Sequence, residues 1–149
     1  MFCSLRKVRT WIYLIVNAAE GLAPGSYTYQ ATSNRSSCCA RGRLRSEAGH
    51  LVLDQPLAAD AAVHVYSLVH LRRVLDRFGN RGYRAAQLEG GITGGRLYLA
   101  AYAQGFGATG LTFYDDEVTE FFSPHAAGKS AMFLVALGYA DRRALGLAR

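Results

Sequence analysis

The chain has 149 residues, 50% of them hydrophobic and 19% charged, with only 3 Pro and 3 Cys. That length can bury a core without staples, and the composition excludes a disordered, collagen-like or disulfide-framed chain. Lys+Arg 17 against Asp+Glu 11 gives a net charge of +6, which permits anionic partners and selects none of them.

The thiols are Cys3 and the adjacent pair Cys38 and Cys39, a spacing that suits neither a zinc site nor a disulfide framework. No metal is expected, and unframed thiols point to a reducing cytoplasm. Arg6, Lys7 and Arg9 precede an apolar run at residues 11–16. That run is too short for a signal sequence or for the roughly 20 residues of a membrane span, so no membrane association is expected. Its Trp, Ile, Tyr and Val residues are good strand formers, and a buried strand is expected there.

Residues 17–25 read as a loop ending in the turn-forming pair Pro24-Gly25. Tyr27 and Tyr29 then share one face of a half-buried strand over residues 26–30. Residues 31–42, rich in Ser, Cys and Arg and without periodicity, read as an exposed loop. Residues 50–54 read as a short strand with Leu51 and Leu53 on one face. Residues 61–69 suit an interior strand interrupted by His64. Leu71, Val74, Leu75 and Phe78 recur at helical spacing, and Gly79 stops that helix.

A long helix is expected over residues 82–104, ended by Gly105. A glycine-bearing turn over 107–113 leads into extended chain. Asp115 suits the N-cap of a short helix through residue 122, with Asp116 and Glu117 in its first turn. Residues 132–137 form the last buried strand. The mixture reads as α+β, in a single domain over residues 1–149, with no internal repeat.

Two stretches stand out. In the long helix, Gly90, Gly91, Gly94 and Gly95 fall in two adjacent i,i+4 rows, one extended by Ala86. Each interior Gly costs about 1 kcal/mol relative to Ala, which points to close approach by another backbone or a flat ligand. A helix crossing, in the core or between subunits, explains this most simply. After the helix, Gly105, Gly107 and Gly110 let the chain bend sharply and bring backbone amides to a ligand. His50, His64, His70 and His125 are scattered, with no carboxylate or nucleophile at a telling spacing, and read as satisfied or solvated side chains. No catalytic residue is singled out. Arg35, Arg41, Arg43 and Arg45 form a basic stretch without an aromatic platform, so nucleic acid is not the expected partner.

In order along the chain, Glu20-Gly21-Leu22-Ala23-Pro24-Gly25-Ser26-Tyr27 resembles an "EGL-x-PG-x-Y" turn, and Gly79-Asn80-Arg81-Gly82-Tyr83-Arg84 a "GxRGYR" helix entry. The stretch from Leu97 to Ala108, then Phe113-Tyr114-Asp115-Asp116-Glu117-Val118 and Phe133-Leu134-Val135-Ala136-Leu137-Gly138, continues the likeness. These segments resemble the nitroreductase-like FMN-dependent flavoproteins, particularly their azoline-dehydrogenase-like (SagB-type) branch. The resemblance implies a nitroreductase-like α+β fold with a mixed sheet flanked by helices. It also implies a homodimer with FMN at the subunit interface. Met1 to Thr10 carries neither an R-x-S-x-R type motif nor a "PSGG" stretch, so the N-terminal part of the family fold is expected to be missing.

By the same resemblance, Gly110, Leu111, Thr112 and Phe113 run along the isoalloxazine ring, with the Phe113 amide facing N5. Arg142 and Arg143 are the candidates for the flavin phosphate. The implied reaction is hydride transfer through flavin N5, from NAD(P)H to a small-molecule substrate: a nitro compound, a quinone or an azoline. A catalytically silent flavin-binding or dimerisation module is the alternative, followed by an anion- or RNA-binding domain built on the arginine stretch.

Overall fold

The computed structural model describes residues 9–30 and 33–139. Six strands, β1 (Thr10–Val16), β2 (Gly25–Gln30), β3 (Arg35–Arg41), β4 (Val63–Val69), β5 (Gly107–Gly110) and β6 (Ser130–Gly138), form one sheet in the order β3-β2-β1-β4-β6-β5. Every pairing among the described strands is antiparallel. The described residues include five helices: α1 (Arg45–Leu51), α2 (Pro56–Asp60), α3 (Leu71–Phe78), α4 (Arg81–Ala103) and α5 (Asp115–Phe121).

Alternation along the strands sorts the side chains into two layers. On one face Tyr13, Ile15, Tyr66, Leu68 and Leu134 meet Ala48, Leu51 and Val52 of the α1 region, Ala58 of α2, and Val118 and Phe122 of the α5 region. On the other face Val69 and Met132 meet Ala86 of α4, with Leu71 beside them. The register of β6 against β4 shifts between Ser67 and Leu68, which face Phe133 and Ala131. Met132 is the extra residue of this β-bulge, and Met132 and Phe133 both turn toward α4.

The expected strands at β1, β2, β4 and β6 and the expected helices α3 and α4 are present. Gly79 (φ 59) and Gly105 (φ 77) stand at the two helix ends in the left-handed region. Three expectations are corrected. Residues 31–42 are not a loop throughout, because Arg35–Arg41 pairs with β2 as an exposed edge strand. Residues 50–54 are not a strand: Leu51 and Val52 are buried side by side, which a half-buried strand forbids and a helix end allows. Asp115 is the first helical residue rather than the N-cap, which is Tyr114, without a side-chain capping bond.

Candidate functional site

The glycine rows of α4 part company in space. A Cβ on Gly90 would lie 3.1 Å from the Phe133 Cβ, and one on Gly94 would lie 2.4 Å from the Phe133 ring. Gly91 and Gly95 have nothing within 4 Å. One row is therefore a seat for the bulged β6. The other lies toward the outer surface, where Leu88, Ile92, Leu99 and Tyr102 are exposed, Leu88 at 65% and Leu99 at 73%. Ala85, Leu88, Ile92, Gly95, Leu99 and Tyr102 follow spacings of three and four residues, so they make one apolar stripe on the outer face of the helix.

α4 ends in a Schellman turn, with the Phe106 amide donating to the Ala101 carbonyl (2.8 Å) and the Gly105 amide to Tyr102 (3.1 Å). The chain then pairs with β6 through Gly110 and leaves the sheet as an extended bend. Both ends of the bend are pinned. The Gly110 amide donates to the Tyr98 hydroxyl of α4. The Tyr114 amide donates to the Leu51 carbonyl (3.0 Å). Leu111 and Phe113 pack onto the core while Thr112 is exposed, and the Phe113 ring meets Tyr66 edge-on at 6.1 Å. Among the described residues the amides of Leu111, Thr112 and Phe113 donate to nothing. Neighbouring amides of an extended chain face opposite sides, so Leu111 and Phe113 share one side and Thr112 takes the other; two unspent donors on a segment fixed at both ends can meet a planar acceptor edge without rearrangement.

Phe113 also lines a cleft of about 540 Å³ with Tyr83, Gln87, Asp115, Thr119 and Lys129. Burial, reinforced by Asp116, raises the Asp115 carboxyl above the usual carboxylate range. The Lys129 ammonium donates to the His125 carbonyl (2.6 Å) and sits 4.9 Å from the centre of the Trp11 ring. Burial, with Arg73 nearby, lowers its pKa. The volume falls in the range of small-molecule sites.

Two histidines differ from the sequence reading. His50 is clamped between two carboxylates: Nδ1 lies 3.0 Å from Asp54 and Nε2 3.0 Å from Glu117, joining the α1 region to α5 just beyond the bend. His64 is fully buried, and neither ring nitrogen has a hydrogen-bond partner. Desolvation lowers its pKa to about 4, helped by Arg45 and opposed by the nearby Ala58 backbone. Gly110, Leu111, Thr112 and Phe113 form the bend, whereas Arg142 and Arg143 lie outside the described residues. Sequence reasoning missed Tyr98, because its contact with Gly110 depends on how the helix lies against the sheet. The His50–Asp54 half of the clamp has an i,i+4 spacing, a signal that the strand expected over residues 50–54 concealed.

No protein-family model matches the chain, and no curated protein sequence does either. Solved structures do. A candidate nitroreductase from Anabaena variabilis is 28% identical, with a TM-score of 0.82 over 87% of this chain. The chain has the nitroreductase-like fold. It spans 27% of that structure's length. The Escherichia coli microcin synthetase McbBCD complex, with truncated pro-MccB17 bound, shares the fold at 16% identity and a TM-score of 0.73, over 90% of this chain and 53% of that one. The NADPH:FMN oxidoreductase of Vibrio harveyi, complexed with NAD+, does so at 19% identity and a TM-score of 0.52, over 65% of this chain and 46% of that one. The nitroreductase-like α+β sheet with flanking helices is thus established, and no helix of the described residues is long and apolar enough to cross a membrane.

Proposed function

We propose that this nitroreductase-like chain is an FMN-dependent oxidoreductase of the azoline-dehydrogenase-like branch, working as a homodimer. The observation that carries the reading is the pinned bend with its unspent amides at Leu111 and Phe113. FMN, when bound, supplies hydride transfer at N5, from NAD(P)H to a nitro compound, a quinone or an azoline. The residues fit that group in kind: neutral N–H donors suit the carbonyls and ring nitrogens of an isoalloxazine, and Gly110 lets the ring approach the backbone. Thr112 stands beside those donors, and the half-buried Leu111 and Phe113 limit water on their inner side. Arg142 and Arg143 are proposed to hold the phosphate.

The outer stripe of α4 supports the homodimer. A helix that exposes Leu88, Ile92, Leu99 and Tyr102 along one seam, with Gly95 between them, matches a surface that a second copy would cover. The free thiols of Cys38 and Cys39 suit a cytoplasmic setting.

The test is mass spectrometry of the small molecule released on denaturing the purified protein, with absorbance before and after addition of NADH or NADPH. Released FMN and bleaching of a flavin band support the enzyme. A band that never bleaches supports a silent flavin-binding module. A colourless protein that takes up no added FMN rejects both.

A further inference from the structure

β3 is an outer edge of the sheet and pairs with β2 alone among the described strands, so its far side presents unpaired backbone donors and acceptors. Arg35 and Arg41 close its two ends. Between them stand only Ser36, Ser37, Cys38, Cys39 and Ala40, side chains too short to screen the backbone. From Gly21 to Ser46 the sequence holds no Asp or Glu and four arginines. Arg45 is committed to the Ala59 carbonyl (2.8 Å). Arg35, Arg41 and the following Arg43 form no ion pair among the described residues.

We propose that the β3 edge takes up an extended acidic peptide as an added strand, its carboxylates meeting Arg35 at one end and Arg41 and Arg43 at the other. The register shift opposite Ser26 and Tyr27 makes Cys39 the extra residue, so regular pairing runs over Arg35 to Cys38 and charge contacts continue beyond it. A second copy does not fit. Each β3 would bring its own Arg35, Arg41 and Arg43 to the seam, with no carboxylate from Gly21 to Ser46, so two copies repel there in any register. RNA fits less well, because β3 offers no aromatic side chain for base stacking. Strand addition supplies main-chain hydrogen bonds, and the arginines select for charge. This surface is separate from the bend, so the inference stands apart from the flavin reading.

The experiment is fluorescence anisotropy of the full chain with a labelled peptide that carries two adjacent glutamates at each end of a valine–threonine centre, because Arg35 and Arg41 pair with Gln30 and Gly25 on opposite faces of β2. The controls are the same peptide N-methylated at alternate amides, a lysine–valine peptide and an oligouridylate. Binding of the acidic peptide alone is expected, weakening with salt. Arg35→Glu and Arg41→Glu should each weaken it roughly threefold to tenfold, with an unchanged circular dichroism spectrum. Equal binding of the N-methylated peptide would overturn strand addition. Preferential binding of oligouridylate would reassign the edge to nucleic acid, and absence of any binding would reject the proposal.

Discussion

The Tyr98 hydroxyl accepts a hydrogen bond from the amide of Gly110, fixing the start of the bend to the flank of α4. Tyr98→Phe leaves that amide without its partner, a loss of about 1 kcal/mol. Faster hydrogen exchange at Gly110 is expected, together with lower flavin retention through gel filtration and an unchanged far-ultraviolet spectrum. Unaltered exchange would show that the bond does not hold the bend.

The two glycine rows make opposite predictions. Gly94→Ala drives a methyl into the Phe133 ring and should cost about 1–2 kcal/mol after the gain in helix propensity. Gly91→Ala meets open space and should stabilise by about 1 kcal/mol. Urea denaturation distinguishes them. Equal effects would mean that α4 does not sit on the bulge as described.

His64 ties stability to acid. Its folded pKa, about 4, lies below the ordinary 6.5, so the unfolded chain binds the proton first as pH falls. The associated stability is complete above 6.5 and is lost progressively toward pH 4, by about 3 kcal/mol. His64→Leu should remove most of that slope and relieve two unpartnered buried nitrogens. Denaturation midpoints at several pH values between 4 and 7 check this; a slope retained in the variant rejects the assignment.

His50 works with the opposite sign. The Asp54 hydrogen bond and charge, then Glu117, raise its pKa above 6.5. Its contribution is present below 6.5 and disappears as pH rises through the raised value. By NMR titration of the ring protons, Asp54→Asn should bring the midpoint back further than Glu117→Gln. The reverse order would place the stronger contact on α5.

The elements with strong periodicity were legible in the sequence: the apolar strands β1, β4 and β6, and the helices whose ends Gly79 and Gly105 mark. β3 was hidden because an edge strand paired on one side needs no apolar alternation, and its Ser, Cys and Arg residues read as loop. α1 was hidden because Leu51 and Leu53 share one face of a strand over residues 50–54, although Leu44, Ala48 and Leu51 lie at helical spacing. At the site, the glycines announced a bend. The partners that hold it, Tyr98 at one end and the Leu51 carbonyl at the other, come from distant segments and left no local pattern.

The bulge in β6 lets Ala131 and Leu134 serve the same layer although an odd number of positions separates them, while Met132 and Phe133 serve the opposite layer. Met132 is thus the one position of the strand that the ladder with β4 does not count. Deleting it would leave Ala131, Phe133 and Leu134 opposite Leu68, Ser67 and Tyr66 in unbroken register, with the loss of one of the two side chains that meet α4. Inserting a further residue there would instead set the two halves of the strand out of phase.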